Sequence, residues 1–241
     1  MHGLFKKIID IILPPRCLIC GKAINSDNSL CGECFSNIKF ITNPYCCKCG
    51  TPLSCKIDDE KMLCVSCLNP KIKKLFRMSR SAVVYDDFSK KLVLDFKFLN
   101  HLENKKLLVN WLIMAGRDIF DEGVDLIVPV PLHFSRILQR RYNQSAILAK
   151  EVAFRKNIKV SFDALSRIRK TAPQVMCAGK ERKKNVKGAF KVNDIEAIKG
   201  KRIVIIDDVY TTGSTLKECA KVLLKAGAKS VDTLTVAKVC K

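Results

Sequence analysis

Over one short stretch the chain reads Ile203-Val204-Ile205-Ile206-Asp207-Asp208-Val209-Tyr210-Thr211-Thr212-Gly213-Ser214-Thr215. The first four residues are β-branched and apolar without interruption. Such a run fits a strand buried on both faces inside a parallel sheet. Asp207 and Asp208 stand at its carboxyl end, a hydroxyl-rich turn around Gly213 follows, and the next residues predict an amphipathic helix over 216–226. Open α/β sheets bind ligands at the carboxyl edge of their strands. A helix N-terminus there offers unpaired N–H groups and the positive end of the helix dipole. With hydroxyl donors from Thr211, Thr212, Ser214 and Thr215, this is a phosphate cradle. The carboxylate pair cannot hold phosphate, but it can accept hydrogen bonds from two ribose hydroxyls or hold Mg²⁺ through water. A sugar phosphate suits both halves. The plain alternative is an ordinary strand–turn–helix junction, with Asp208 solvated and Thr212 or Ser214 as N-cap.

Outward from this stretch, strands alternate with helices. Strands are expected over 81–85, 125–130, 189–192 and 230–237. A long helical pattern over 89–120 breaks once near Asn100 or Asn104, and a second helix covers 143–155. Trp111 falls on the apolar side of the long pattern and reads as core. Residues 167–184 are basic and aperiodic and read as a mobile loop. Alternation of this kind means an α/β, mostly parallel sheet with flanking helices.

The 241 residues include thirteen cysteines, ten of them between positions 17 and 67. Cys17-x-x-Cys20 is followed by Cys31-x-x-Cys34, and Cys46-x-x-Cys49 by Cys64-x-x-Cys67. Each pair of knuckles supplies four thiolates, the set a tetrahedral structural Zn²⁺ takes. Gly21, Gly32 and Gly50 fit turns that point amides at sulfur. Cys47 and Cys55 stand next to this pattern, and either could replace an assigned ligand. Cys177, Cys219 and Cys240 read as packing residues or free thiols. Residues 1–13 form a short apolar and basic pattern stopped by Pro14 and Pro15. It reads as an amphipathic helix docked on the protein's own body and not as a signal peptide. No run of eighteen apolar residues spans a membrane. With thiols read as metal ligands, the expected compartment is the cytoplasm. The expected organisation is an N-terminal helix over 1–14, a double zinc ribbon over 15–70 and a second domain over 75–241.

The formal charge is +21. Two filled tetrathiolate sites bring it to about +17. Residues 133–192 hold sixteen Lys and Arg against three Asp and Glu. Such a field draws a polyphosphate or a nucleic acid; a solvated basic face is the bland reading.

The stretch at 203–215 resembles the phosphoribosyl-pyrophosphate (PRPP) binding motif of type I phosphoribosyltransferases. The resemblance implies that fold for the second domain. It also implies PRPP contacts from Asp207, Asp208, Val209, Tyr210, Thr211, Thr212, Gly213, Ser214 and Thr215, with Asp207 and Asp208 the catalytic pair and Mg²⁺ arriving with PRPP. Phosphoribosyl transfer expels pyrophosphate, which needs cations and exclusion of water. Arg136, Arg140, Asn143 and Gln144 after the 125–130 strand, and Lys170, Gln174 and Arg182 in the basic loop, are the candidates.

Further residues narrow the resemblance. Pro129-x-Pro131-Leu132-His133, then Arg140-x-Tyr142-Asn143-Gln144, then Arg167-x-x-Lys170-Thr171-x-x-Gln174, then Arg182-Lys183-x-Asn185-Val186, behind a double zinc ribbon, look like the ComF family of bacterial competence proteins. That family usually places glycine where this chain has Arg141, and the exchange restricts the backbone there. Purine-salvage enzymes of the fold usually carry aspartate where this chain has Thr211, which argues against hypoxanthine or guanine as acceptor.

Two functions follow as expectations. One is a Mg²⁺-dependent phosphoribosyltransferase acting on PRPP and an unidentified acceptor. The other, implied by the ComF resemblance, is a competence factor for DNA uptake and transformation. It would bind single-stranded DNA beside a helicase or recombination partner, with the PRPP pocket as sensor or relic. A protein doing both is favoured, because both carboxylates and the full turn are intact.

Overall fold

The computed structural model describes residues 14–54, 62–70, 75–98, 104–169 and 185–240. The expected helix over 1–13, Cys55, Cys177, Lys170, Gln174 and Arg182 lie outside the described residues.

Ile203 to Ile206 are fully buried, as an uninterrupted β-branched run requires. They sit in a long strand of the second domain. The strands are β1 (Ser79–Val84), β2 (Leu126–Pro129), β3 (Leu165–Arg167), β4 (Phe190–Val192), β5 (Arg202–Tyr210) and β6 (Ser230–Lys238). Among the described residues β1-β6-β5-β2 form a parallel sheet, and β3 pairs antiparallel with β4. The helices are α1 (Gly32–Ser36), α2 (Val65–Leu68), α3 (Asp87–Phe98), α4 (Asn104–Ala115), α5 (Arg117–Asp121), α6 (Phe134–Arg140), α7 (Gln144–Lys156) and α8 (Ser214–Lys225).

The alternating side chains of β5 serve two cores. Val204 and Ile206 pack with Leu108 and Leu112 of α4 and Leu148 and Val152 of α7. Ile203 and Ile205 pack with Leu216, Cys219 and Leu223 of α8. This is the doubly covered sheet the alternation of elements predicts. Cys219 is a packing residue, and Trp111 is core.

Three departures from the sequence reading matter. First, β5 continues to Tyr210, so the acid pair lies within the strand. β6 is equally long and pairs with β5 through Tyr210↔Lys238, whereas β2 leaves the ladder at Pro129↔Ile206. The acids therefore stand beyond the end of β2 while still held by β6. Second, the segment after β2 contains helix α6. It starts on His133, an unusual N-cap whose Nδ1 accepts from the Ser135 amide at 3.3 Å. Third, the pattern over 89–120 is three helices. α4 begins at Asn104, near the expected break, and a further break falls at Gly116. A Cβ at Gly116 would stand 3.0 Å from both Leu234 and Phe120 side-chain carbons.

The N-terminal module covers the free edge of β1. Phe40 bridges Val83 antiparallel, with Ile41 N–H on the Ala82 carbonyl at 2.9 Å and Val84 N–H on the Lys39 carbonyl at 2.8 Å. Covering an edge strand removes a template for aggregation. Phe40 also meets Trp111 edge-on at 5.1 Å. No helix among the described residues is long and apolar enough to cross a membrane.

Candidate functional site

The carboxyl ends of β5 and β6, the turn 211–213 and the first turns of α7 and α8 meet at one edge of the sheet. A hollow of about 190 Å³ opens there, lined by Asp207, Val209, Thr211, Gly213, Ser214, Thr215 and Leu216. Gly213 has φ +68° and forms the N-cap of α8. An L side chain is strained in that conformation. A Cβ would also stand 2.3 Å from the Tyr210 hydroxyl. Glycine therefore brings the backbone down onto the Tyr210 ring and leaves the amides at the start of α8 facing the hollow. Thr212 Oγ1 lies 2.8 Å from Ser214 Oγ and accepts from the Ser214 amide at 3.4 Å, which fixes two hydroxyls at the rim.

The acid pair is not symmetric. Asp207 lines the hollow, and its Oδ1 accepts from Ser145 Oγ at 2.8 Å and from the Asp208 amide at 2.9 Å. Asp208 is 8% exposed and does not line the hollow, in keeping with strand alternation. Ser145 belongs to the first turn of α7, which Asn143 caps by accepting from the Ser145 amide at 3.1 Å. Asn143 Nδ2 also donates to the Val130 carbonyl at 3.0 Å, tying the helix start to the end of β2. Asn143 is thus a scaffold residue. Gln144 is buried, with Oε1 3.5 Å from Arg140 Nη1.

Three guanidinium groups gather at the same edge. Burial holds Arg140 below its ordinary value, against the pull of Asp208 and then Asp207. Burial and then Arg140 do the same to Arg136, and burial and then Arg136 to Arg167, which also feels Asp207. Such an array beside a hydroxyl-lined turn suits an anion of high charge. Arg141 adopts the left-handed conformation, φ +65°, as the C-cap of α6. Sequence reasoning reached most of these residues but missed Ser145. Ser145 was findable, since it opens a helix at the carboxyl edge.

The cysteines form two tetrads, Cys17, Cys20, Cys31, Cys34 and Cys46, Cys49, Cys64, Cys67. Within each, the sulfurs all lie within 4.8 Å of one another. Zn–S bonds of about 2.3 Å place tetrahedral sulfurs about 3.8 Å apart. Cys20 and Cys31 sulfurs are 3.7 Å apart and Cys49 and Cys64 sulfurs 3.5 Å, so the geometry fits two zinc ions. The amides on sulfur come from Cys31 onto Cys17, Cys34 onto Cys31 and Cys49 onto Cys46, at 3.3, 3.4 and 3.5 Å. Gly21 and Gly50, at φ +75° and +62°, close their turns on the carbonyls of Cys17 and Cys46. Cys47 is in neither tetrad.

Comparison with known proteins agrees with both halves. Residues 8–68 match the double zinc ribbon domain, and residues 143–239 match the phosphoribosyl transferase domain. Competence protein F of Haemophilus influenzae (strain ATCC 51907 / DSM 11121 / KW20 / Rd) is 30% identical over 231 residues, covering 92% of this chain and 96% of that protein. DNA utilization protein YhgH of Escherichia coli (strain K12) is 29% identical over 219 residues, covering 90% and 87%. Competence protein ComFC of Bacillus subtilis (strain 168) is 28% identical over 221 residues, covering 88% and 85%.

Proposed function

This chain belongs to the ComF family of competence proteins, and we propose that it binds PRPP with Mg²⁺ at the carboxyl edge of β5 and handles single-stranded DNA during natural transformation. The observation that carries the PRPP reading is the hollow itself. It combines helix-start amides and hydroxyls for the 5′-phosphate, with Asp207 fixed by Ser145 for the ribose hydroxyls, and Arg140 and Arg136 beside it for the pyrophosphate. Asp207 and Asp208 are hard oxygen donors of the kind Mg²⁺ prefers, so they are the residues that would hold it, directly or through water. When bound, Mg²⁺ supplies neutralisation of charge on the departing pyrophosphate. Val209, Tyr210 and Thr211 to Thr215 then belong to PRPP binding, and Lys170, Gln174 and Arg182 to the cover over the pyrophosphate. Phosphoribosyl transfer to an acceptor other than hypoxanthine or guanine is the reaction assigned to the pocket.

The DNA reading draws support from the wider basic segment that also supplies Arg136 and Arg140 to the hollow. Segment 133–192 carries sixteen cations against three acids. Its Phe134, Phe154 and Phe162 are exposed. Cations with exposed aromatics suit a single strand, whose phosphates and bases they meet in turn. A helicase or recombination protein is the partner this role calls for.

Paired variants separate the two activities. Asp207→Ala with Asp208→Ala should abolish PRPP binding and spare DNA binding. Neutralising Arg169, Lys183 and Lys184, none of them assigned to the pyrophosphate, should weaken DNA binding and flatten its salt dependence. Loss of DNA binding in the carboxylate variant would refute the two-site assignment. Release of pyrophosphate from PRPP, measured with candidate acceptors, distinguishes transferase from sensor.

A further inference from the structure

The knuckle of the second tetrad docks on the phosphoribosyltransferase domain through three consecutive carbonyls. Cys47 O accepts from Arg80 Nη2 at 2.7 Å, Lys48 O from the Ser79 amide at 2.7 Å, and Cys49 O from Lys238 Nζ at 2.8 Å. Gly50, at φ +62°, lies so close that a Cβ would stand 2.6 Å from the Ser79 carbonyl oxygen. The two cations at this contact differ. Arg80 has a carboxylate partner in Asp118 at 2.6 Å. Lys238 is 4% exposed, and no carboxylate pairs with it among the described residues. An unpaired buried ammonium is costly. Among the described residues the anionic group beside Lys238 is the tetrathiolate, which with zinc would keep a net charge of −2.

Lys238 also touches the ligand side. It pairs with Tyr210 across β6 and β5, and its ammonium lies 4.1 Å from the Tyr210 ring centroid. The same ring underlies Gly213 at the closest approach of the phosphate turn. Knuckle, Lys238, Tyr210 and Gly213 thus form one packed column from the second tetrad to the hollow.

We propose that Lys238 is a positioning residue that couples occupancy of the Cys46, Cys49, Cys64, Cys67 site to the shape of the phosphate turn. This rests on the reading of the hollow as a phosphoribosyl site. With the site filled, the ammonium is balanced and holds the Tyr210 ring against Gly213. With it empty, the knuckle carbonyl and the compensating charge are lost together, and the turn loosens. Coupling between sites is reciprocal, so a phosphoribosyl ligand strengthens zinc retention by the factor by which zinc strengthens ligand binding.

The test uses the full zinc-loaded chain. Amide hydrogen exchange at 211–215 and metal content are measured for the wild type, Lys238→Met and Lys238→Arg. Lys238→Met should keep both zinc ions yet exchange faster across the turn, by a factor within the roughly 5- to 150-fold range of site-to-site coupling. Lys238→Arg, which keeps the cation, should stay nearer the wild type. Ribose 5-phosphate should slow zinc release from one of the two sites in the wild type and from neither in Lys238→Met. Unchanged exchange in zinc-replete Lys238→Met overturns the proposal. If the exchange responds but ribose 5-phosphate does not bind the wild type, the coupling stands and the ligand reading fails. If Lys238→Met does not fold, Tyr210→Leu decides, since it removes the ring and leaves Lys238 on Cys49. Wild-type exchange at 211–215 in that variant refutes the column.

Discussion

Gly213→Ala perturbs the hollow at a single atom. The residue sits at φ +68°, where an L side chain costs about 1–2 kcal/mol. The new Cβ would lie 2.3 Å from Tyr210 Oη and 2.4 Å from its Cζ. Ordinary carbon contacts begin near about 3.5 Å, so ring or turn must move by roughly 1 Å. The ring has little room to retreat, because Lys238 stands 4.1 Å from its centroid and is itself anchored on Cys49 O. Overpacking of this kind costs about 1–3 kcal/mol, and reduced freedom of the unfolded chain returns roughly 0.4–1 kcal/mol. The net is a destabilisation of about 1–5 kcal/mol. If the whole domain bears it, the melting temperature falls by roughly 2–20 °C for a chain of this size. If the turn yields locally, melting moves less and PRPP affinity falls instead, about tenfold for each 1.4 kcal/mol. Thermal melting and calorimetric titration on the same preparation separate these outcomes. The double variant with Tyr210→Ala should recover part of the loss, since the clash partner is gone. Wild-type melting together with wild-type affinity in Gly213→Ala would refute the described packing of the turn.

Three further expectations come from single features. Arg141→Gly relieves a left-handed residue at the end of α6 and should raise the melting temperature by about 1–4 °C; a fall would mean that the arginine side chain makes contacts that outweigh the strain. Ser145→Ala removes the hydroxyl that fixes Asp207 at 2.8 Å, a hydrogen bond to a charged group worth about 1.5–3 kcal/mol. PRPP affinity should drop about 10- to 150-fold with the fold intact by circular dichroism, and an unchanged affinity would show that Asp207 needs no positioning. Chelation of zinc removes roughly 10 kcal/mol or more of metal binding per structural site. Limited proteolysis should then cut within 15–70 before it reaches the sheet, whereas a ribbon that stays resistant without metal would contradict its structural role.

The sequence carried the fold where local chemistry and tertiary role coincide. The Ile203–Ile206 run states burial on both faces, and the Cys-x-x-Cys knuckles state tetrahedral ligation, because in each case the residue type itself is the constraint. The extension of β5 to Tyr210 was not legible, since it depends on β6 continuing to pair after β2 has stopped. Helix α6 was hidden by its cap: His133 does the work more often done by Ser, Asp or Asn. At the site, the turn and the acid pair were readable as a motif. The inequality between Asp207 and Asp208 was not, because it comes from Ser145 on a different element. Lys238 lies 189 positions from Cys49, and only the folded chain places one on the other.

The most direct measurement is calorimetric titration of PRPP into the zinc-loaded protein with and without Mg²⁺. Saturable, Mg²⁺-dependent binding at one site per chain is the expected result, and it should disappear in the Asp207→Ala, Asp208→Ala variant. Absence of binding, or binding that survives loss of both carboxylates, would contradict the assignment of the hollow at the end of β5 as a PRPP site.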